Sequence, residues 1–281
     1  MNNKLVFLND KVAKKLFKNE KVGKQFSARV ISDVIGIPYD SIINNLSLSS
    51  DEIAFSSHTL NSTADIIYQN DKAYFNIEVN YYNNDSKKRQ LESYCYQLYL
   101  GQLHAYQNYH NIKKITQISI DAFDIFHHDE FIYTVSLMEE KYHEIISDDI
   151  KIVHINLAKL RKLAYTDVVD GNDMLKKDLF FFTCSDTDKI KNIYKGDKLM
   201  KDIVDEVNQI AGNEEMNLYL SDEELFKLDQ EYERRQGSKE TRKQVIANML
   251  KNNLSLDLIY KCVDIPTTEV EKIIKEIEEE K

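Results

Sequence analysis

The sequence predicts an α/β protein in which helices flank a mixed β-sheet, followed by a helical C-terminal region. Three observations carry this. Apolar residues recur at three- and four-residue spacing near the N-terminus and again after position 87. Short β-branched or alternating runs lie between and beyond those stretches. From about Leu163 onward the pattern turns irregular to helical. Helices around a set of short strands make a layered domain of roughly 160 residues.

Taken in order, Asp10 is placed to cap a helix through Val12, Leu16 and Phe17. Val22, Phe26, Val30 and Val34 then recur every four residues, with Ile31 beside them, as a core-facing stripe that Gly36 and Pro38 stop. Between Lys11 and Arg29 stand seven basic residues (Lys11, Lys14, Lys15, Lys18, Lys21, Lys24, Arg29) against Glu20. Such a run is either a solvated helix face or a phosphate-facing surface. Ile42 to Leu48 reads as a strand, and so does Thr63 to Tyr68. Gln69-Asn70-Asp71 is a turn, and Ala73 to Val79 completes an antiparallel hairpin. Helical spacing returns from Lys87 to about Tyr109. Ile115 to Ile120 alternates, and Phe131 to Leu137 and Ile150 to Ile155 supply two more strands.

The C-terminal part is read as a separate helical tail. Ser221-x-x-Glu224 is a capping box opening an acidic helix that ends near Gly237, and about Glu240 to Lys251 forms a second. Leu254 to Cys262 follows. Thr268-x-x-Glu271 is another capping box that starts the last helix. That helix is acidic on its polar side, which suits a major groove poorly. Burial of Val270, Ile273, Ile274 and Ile277, within the chain or against a protein partner, is the expectation.

Composition narrows the function. With 37 basic against 47 acidic residues the net charge is −10, so any nucleic-acid contact must come from a local basic patch. Cys95, Cys184 and Cys262 are odd in number and far apart, which argues against a disulfide framework and against a zinc finger. The N-terminus has no secretory signal, and no apolar run is long enough to span a bilayer. A soluble protein in the reducing cytoplasm, away from the membrane, is expected.

The informative constellation is Asp65 on one strand and Glu78-Val79-Asn80 on the next. Side chains alternate along a strand, so Glu78 and Asn80 share one face while Ile77 and Val79 enter the core. Asp65, flanked by Ala64, Ile66 and Ile67, and Glu78, between Ile77 and Val79, each interrupt an apolar segment. A buried carboxylate is costly unless it is paired or binds metal. Two that converge at one end of a hairpin supply the hard oxygens that Mg²⁺ takes, alongside retained waters. The alternative is a pair of edge-strand polar residues facing water.

Asp65, a thirteen-residue step and Glu78-x-Asn80 resemble the PD-(D/E)XK nuclease signature. Arg89, Tyr94, Leu98-Tyr99, Gln102-Leu103 and Tyr106 resemble the helix that follows it in the recombination-promoting nuclease and transposase branch. Ile118 to Phe123 with Ile125-Phe126 resembles that branch's next strand, and Ala247 to Lys275 its helical tail. The resemblance implies a restriction-endonuclease-like core over 1–165, an extension over 166–220 and a tail over 221–281 with a helix-turn-helix-like end. It implies a metal-dependent DNA endonuclease, transposase-like, acting in DNA recombination or mobile-element biology. Asp65, Glu78 and the Val79 carbonyl would hold Mg²⁺, with Mn²⁺ able to substitute. Asn80 would orient water and phosphate where the family has Lys or, in this branch, often Gln. Asn is neutral, so it can hydrogen-bond but supplies no positive charge. That departure motivates a second expectation, a nuclease-fold protein that no longer cleaves and acts as a DNA- or protein-binding or regulatory module.

Lys87, Lys88, Arg89 and Gln90 open the helix after the signature and are the candidate DNA contacts, with surface solvation as the alternative for the basic triplet. Gln90-x-x-x-Tyr94 resembles a helix of exonuclease-like members, although packing suits Tyr94 better. Cutting both strands needs two sites, which a homodimer would supply. His127-His128-Asp129-Glu130 reads as a polar turn between strands, because adjacent strand residues point apart. His58, His104, His110, His143 and His154 lack partners at zinc spacing and read as surface or packing residues. No G-x-S-x-G, P-loop or G-x-G-x-x-G is present.

Overall fold

The computed structural model describes residues 5–49, 66–81, 83, 87–103, 109–213, 217–221, 224, 227, 241–251, 254–263 and 267–279. The chain divides into two compact units, Met1–Leu225 and Phe226–Lys281.

The larger unit is built on a six-stranded mixed sheet. In chain order its strands are β2 (Ser47–Leu48), β3 (Ile66–Gln69), β4 (Ala73–Asn80), β5 (Lys114–Asp121), β6 (Ile132–Met138) and β7 (Ile145–Asn156), and in space they run β2-β3-β4-β5-β7-β6. β3 and β4 form the expected hairpin, with Ile66 opposite Ile77 and Gln69 opposite Tyr74. Its turn is held by Asn70, whose Oδ1 accepts from the amides of Lys72 (2.9 Å) and Ala73 (2.8 Å). β4 pairs parallel with β5, and β5 parallel with β7, so the middle of the sheet is parallel while both margins are antiparallel. A parallel step needs a crossover. Helix α4 (Lys87–Leu100) lies in that connection and packs on β5 and β7.

The opposite face is covered by α1 (Asp10–Lys18) and, behind it, α2 (Gly23–Ile35). Val12, Ala13, Leu16 and Phe17 form the buried stripe of α1; Phe26, Val30 and Ile31 continue it on α2. Phe17 and Phe26 stack at 5.1 Å between ring centroids, and Phe181 and Phe182 close the cluster. Tyr68 ties the layers together: its hydroxyl donates to the Phe17 carbonyl at 2.8 Å. Helices α5 (Leu157–Lys162), α6 (Tyr165–Asp170), α7 (Met174–Asp178), α8 (Thr187–Ile193) and α9 (Lys198–Asn213) complete this side. Strand β1 (Leu5–Leu8) pairs with β8 (Tyr219–Ser221) in a separate two-stranded ribbon. Neither strand is evident from sequence, being three or four residues whose partner lies far along the chain.

Several expectations are corrected. Ile42–Leu48 is not one strand: Tyr39–Ile43 is a helix (α3), and only Ser47–Leu48 pairs with β3. Pro38 and Asp40 are helix-start chemistry, and they outweigh a β-branched run this short. The cap of α1 is Asn9, whose side chain accepts from the Lys11 amide, rather than Asp10. Arg29 belongs to no phosphate-facing surface. It turns inward to Asp178 and Asp197. Ser221 and Glu224 make the reciprocal bonds of a capping box, from the Ser221 amide to Glu224 Oε2 at 2.7 Å and from the Glu224 amide to Ser221 Oγ at 3.2 Å.

In the smaller unit, a helix over 241–251 (α10), α11 (Leu256–Cys262) and α12 (Thr267–Glu279) bury Ile246, Ile259, Val270, Ile273 and Ile277 together. The apolar side of the last helix is therefore satisfied within its own unit. No helix among the described residues is long and apolar enough to cross a membrane.

Candidate functional site

The C-terminal parts of β4, β5 and β7 are buried on both faces, yet one face is polar. On β4 the polar residues are Asn76, Glu78 and Asn80; on β5 they are Gln117, Ser119 and Asp121; on β7 they are His154 and Asn156. The period-two spacing puts each set on one side of its strand. The parallel register then aligns them in rows, Glu78 beside Ser119 beside His154, and Asn80 beside Asp121 beside Asn156. On the other face Ile77, Val79, Ile118, Ile120, Val153 and Ile155 fill the main core.

The rows are closed by hydrogen bonds. Asn80 Nδ2 donates to Ser119 Oγ at 2.8 Å and to Asp121 Oδ1 at 2.9 Å. Ser119 Oγ donates to the same carboxylate oxygen at 2.8 Å, and His154 Nδ1 lies 2.8 Å from Asp121 Oδ2. With a carboxylate as its neighbour, Nδ1 is the ring nitrogen assigned the proton. Asp121 is 1 % exposed, His154 3 % and Asn80 5 %, so this network is out of water and its polar contacts are correspondingly strong. Asn156 anchors the end of β7: its Nδ2 donates to the Glu130 carbonyl and its Oδ1 accepts from the Lys159 amide, capping α5.

Glu78 and Asn80 share the polar face and Val79 faces the core, as expected. Glu78 is 4 % exposed and is engaged by neighbours. The Asn80 carbonyl accepts from the Ala122 amide, toward β5. Strand alternation therefore turns the Val79 carbonyl to the β3 side. Asp65 lies outside the described residues, immediately before β3.

Of the basic cluster, Lys87 opens α4, while Lys88 and Arg89 are exposed on its first turn. Lys88 Nζ sits 4.6 Å over the Phe126 ring, and Phe126 meets His154 edge-on at 5.5 Å. The start of α4 is thereby placed beside the polar rows. Gln90 is half-buried and donates to the Tyr94 hydroxyl at 2.7 Å. Tyr94 and Leu91 are buried, and Cys95 is fully buried on the side of α4 that packs on Ile67, Ile115 and Ile152, where desolvation pushes its thiol up to about 12.

His127-His128-Asp129-Glu130 forms an exposed turn, with His127 and Asp129 in the left-handed region. Asp124 organises it, accepting from the amides of Phe126, His127 and Asp129 and from the Tyr133 hydroxyl; these bonds hold its carboxyl below the ordinary value despite opposing desolvation.

Ser119 and Asp121 carry no site signal of their own in the sequence, and of the two readings of His154, surface or packing, the structure shows packing: it is buried against Phe126 and partnered by a carboxylate. The signal lies in the pattern: Asn76-x-Glu78-x-Asn80 and Gln117-x-Ser119-x-Asp121 repeat the same polar alternation on two strands that are otherwise apolar. Among the described residues no group of three or more His, Cys, Asp or Glu is arranged to hold an ion. The donor set is nonetheless chemically suited to a hard cation, since the Glu78 carboxylate, the Val79 carbonyl and the Asn80 amide all offer oxygen.

The family model described as PD-(D/E)XK nuclease family transposase matches residues 7–237. The chain belongs to that family. A PD-(D/E)XK nuclease family transposase has a nuclease- or transposase-like role, and the mixed sheet flanked by helices accords with the family's restriction-endonuclease-like fold. No curated protein and no solved structure matches this family member in the comparisons made.

Proposed function

We propose that the protein is a divalent-metal-dependent DNA endonuclease, transposase-like, acting in DNA recombination or mobile-element biology. The observation that carries this is Glu78, a carboxylate withdrawn from water on the polar face of β4 within a chain of this family. Ile66 pairs with Ile77, and the two candidate acids are the next residues in sequence, Asp65 before the one and Glu78 after the other. In this reading Asp65, Glu78 and the Val79 carbonyl supply oxygens to Mg²⁺, or to Mn²⁺ in its place. When bound, the cation polarises the scissile phosphate and lowers the pKa of a water that attacks phosphorus. Asn80 orients the attacking water. Lys87, Lys88, Arg89 and Gln90, at the start of α4, meet the DNA backbone beside the site. Residues 1–165 carry cleavage, 166–220 extend the core and 221–281 form the tail.

A second reading, a non-cleaving DNA- or protein-binding module on the same fold, is favoured by one observation. The Asn80 amide nitrogen is engaged inside the fold, by Ser119 and Asp121, and the side chain is neutral, so position 80 supplies no charge to a scissile phosphate. Calorimetric titration of Mn²⁺ separates the readings. The endonuclease reading expects saturable heat with the wild type and its loss in Asp65→Ala and Glu78→Ala. Absence of heat with the wild type favours the binding module.

A further inference from the structure

The commitment of the Asn80 amide says what this residue can do. An asparagine side chain has two N–H donors and one carbonyl acceptor. Here Nδ2 faces β5, with Ser119 Oγ at 2.8 Å and Asp121 Oδ1 at 2.9 Å. The Ser119 proton goes to that same Asp121 oxygen, so Ser119 accepts from Asn80 and does not give to it. Flipping the amide would set its carbonyl against a carboxylate oxygen, acceptor against acceptor, so the orientation follows from the partners. The amide nitrogen is thus held against β5. The group left to present is Oδ1, on the side of Cγ turned away from Ser119 and Asp121.

We propose that Asn80 serves the cation site as an oxygen acceptor, taking a hydrogen bond from a cation-bound water, and that Asp121 is the positioning residue that holds it so. This rests on the endonuclease reading and sharpens it: position 80 works by receiving a proton contact where a lysine would deliver charge. Asp121 is itself gripped on its other oxygen by His154 Nδ1 at 2.8 Å, and Phe126 packs edge-on against the imidazole. Ser119, Asp121 and His154 thus form a buried clamp that fixes the direction of the Asn80 carbonyl. Groups that orient the ligands and waters of a metal site from behind typically set its affinity by about ten- to a hundred-fold.

The test is Mn²⁺ calorimetry on the full chain, with thermal unfolding measured alongside, for wild type, Glu78→Ala, Asn80→Ala, Asp121→Asn and the double variant Asn80→Asp/Asp121→Asn. The double variant exchanges donor and acceptor across the same hydrogen bond and keeps an oxygen directed at the site. Asn80→Ala and Asp121→Asn should each weaken Mn²⁺ by about tenfold or more, and the double variant should bind more tightly than either, recovering to within about threefold of wild type. If wild type binds Mn²⁺ and Glu78→Ala does not, but Asn80→Ala binds like wild type, the proposal falls while the endonuclease reading stands. A double variant no tighter than Asn80→Ala also overturns it. Should Asp121→Asn alone fail to fold, Asn80→Ala against the double variant still decides. A wild type that does not bind Mn²⁺ removes both ideas together.

Discussion

Arg29→Met takes away the guanidinium that grips Asp178 through Nε (2.7 Å to Oδ2) and Nη2 (to Oδ1) and reaches Asp197 Oδ2 through Nη1 at 2.6 Å. Asp178 is 1 % exposed, and burial pushes its carboxyl up to about 7 although Arg29 pulls the other way. An acid whose pKa is higher folded than unfolded stabilises the fold at low pH and loses that contribution as pH climbs to the folded value. In the wild type the loss runs upward from the ordinary carboxylate range and levels off above about 7, where the ionised group has its partner. Without Arg29 desolvation remains and the attraction is gone, so the loss continues above pH 7 at about 1.4 kcal/mol per pH unit. Over the next two units the variant should fall about 3 kcal/mol further behind, in keeping with the roughly 3–5 kcal/mol cost of orphaning a buried charge. Asp33, raised by burial and lowered by Arg29, moves in the same direction. Urea unfolding of both proteins followed by circular dichroism, at about pH 6 and about pH 9, reads this directly. A stability gap of the same size at both pH values would refute the reasoning.

Cys95, with its thiol at about 12, should resist iodoacetamide at neutral to mildly alkaline pH until the protein unfolds, whereas exposed Cys262 should react in the native state; mass spectrometry of labelled peptides reports both. Gly23→Ala should destabilise strongly, because the added Cβ would meet the Phe17 carbonyl oxygen at 2.5 Å and that of Leu16 at 2.6 Å, both backbone atoms that cannot swing away; a lowered thermal midpoint with unchanged helix content is the expected result. Lys88→Ala and Arg89→Ala should each flatten the dependence of log K on log salt for DNA by about 0.9, measured by fluorescence anisotropy, with little effect on stability for Arg89.

What sequence makes legible here is whatever is local or periodic. The stripes Val12-Leu16 and Val22-Phe26-Val30, the Asn70 turn and the Ser221–Glu224 box each rest on residues at most a few positions apart, and each is found where its spacing puts it. The polar rows were half legible: alternation exposes Glu78 and Asn80, but joining them to Ser119, Asp121 and His154 takes the parallel register of three strands. The Arg29 pair with Asp178 spans 149 positions and shows no spacing signal, so a residue that looks like part of a basic face proves to be a half-buried tie to a buried acid. The short β1–β8 ribbon escapes for the same reason.

The most direct test of the central claim is cleavage itself. Supercoiled plasmid incubated with the full chain and Mg²⁺, or Mn²⁺, should be nicked by the wild type and left intact by Asp65→Ala and by Glu78→Ala, while Lys191→Ala, far from the polar rows in sequence and on α8, should nick like wild type. Nicking that persists undiminished in both acid variants would contradict the account.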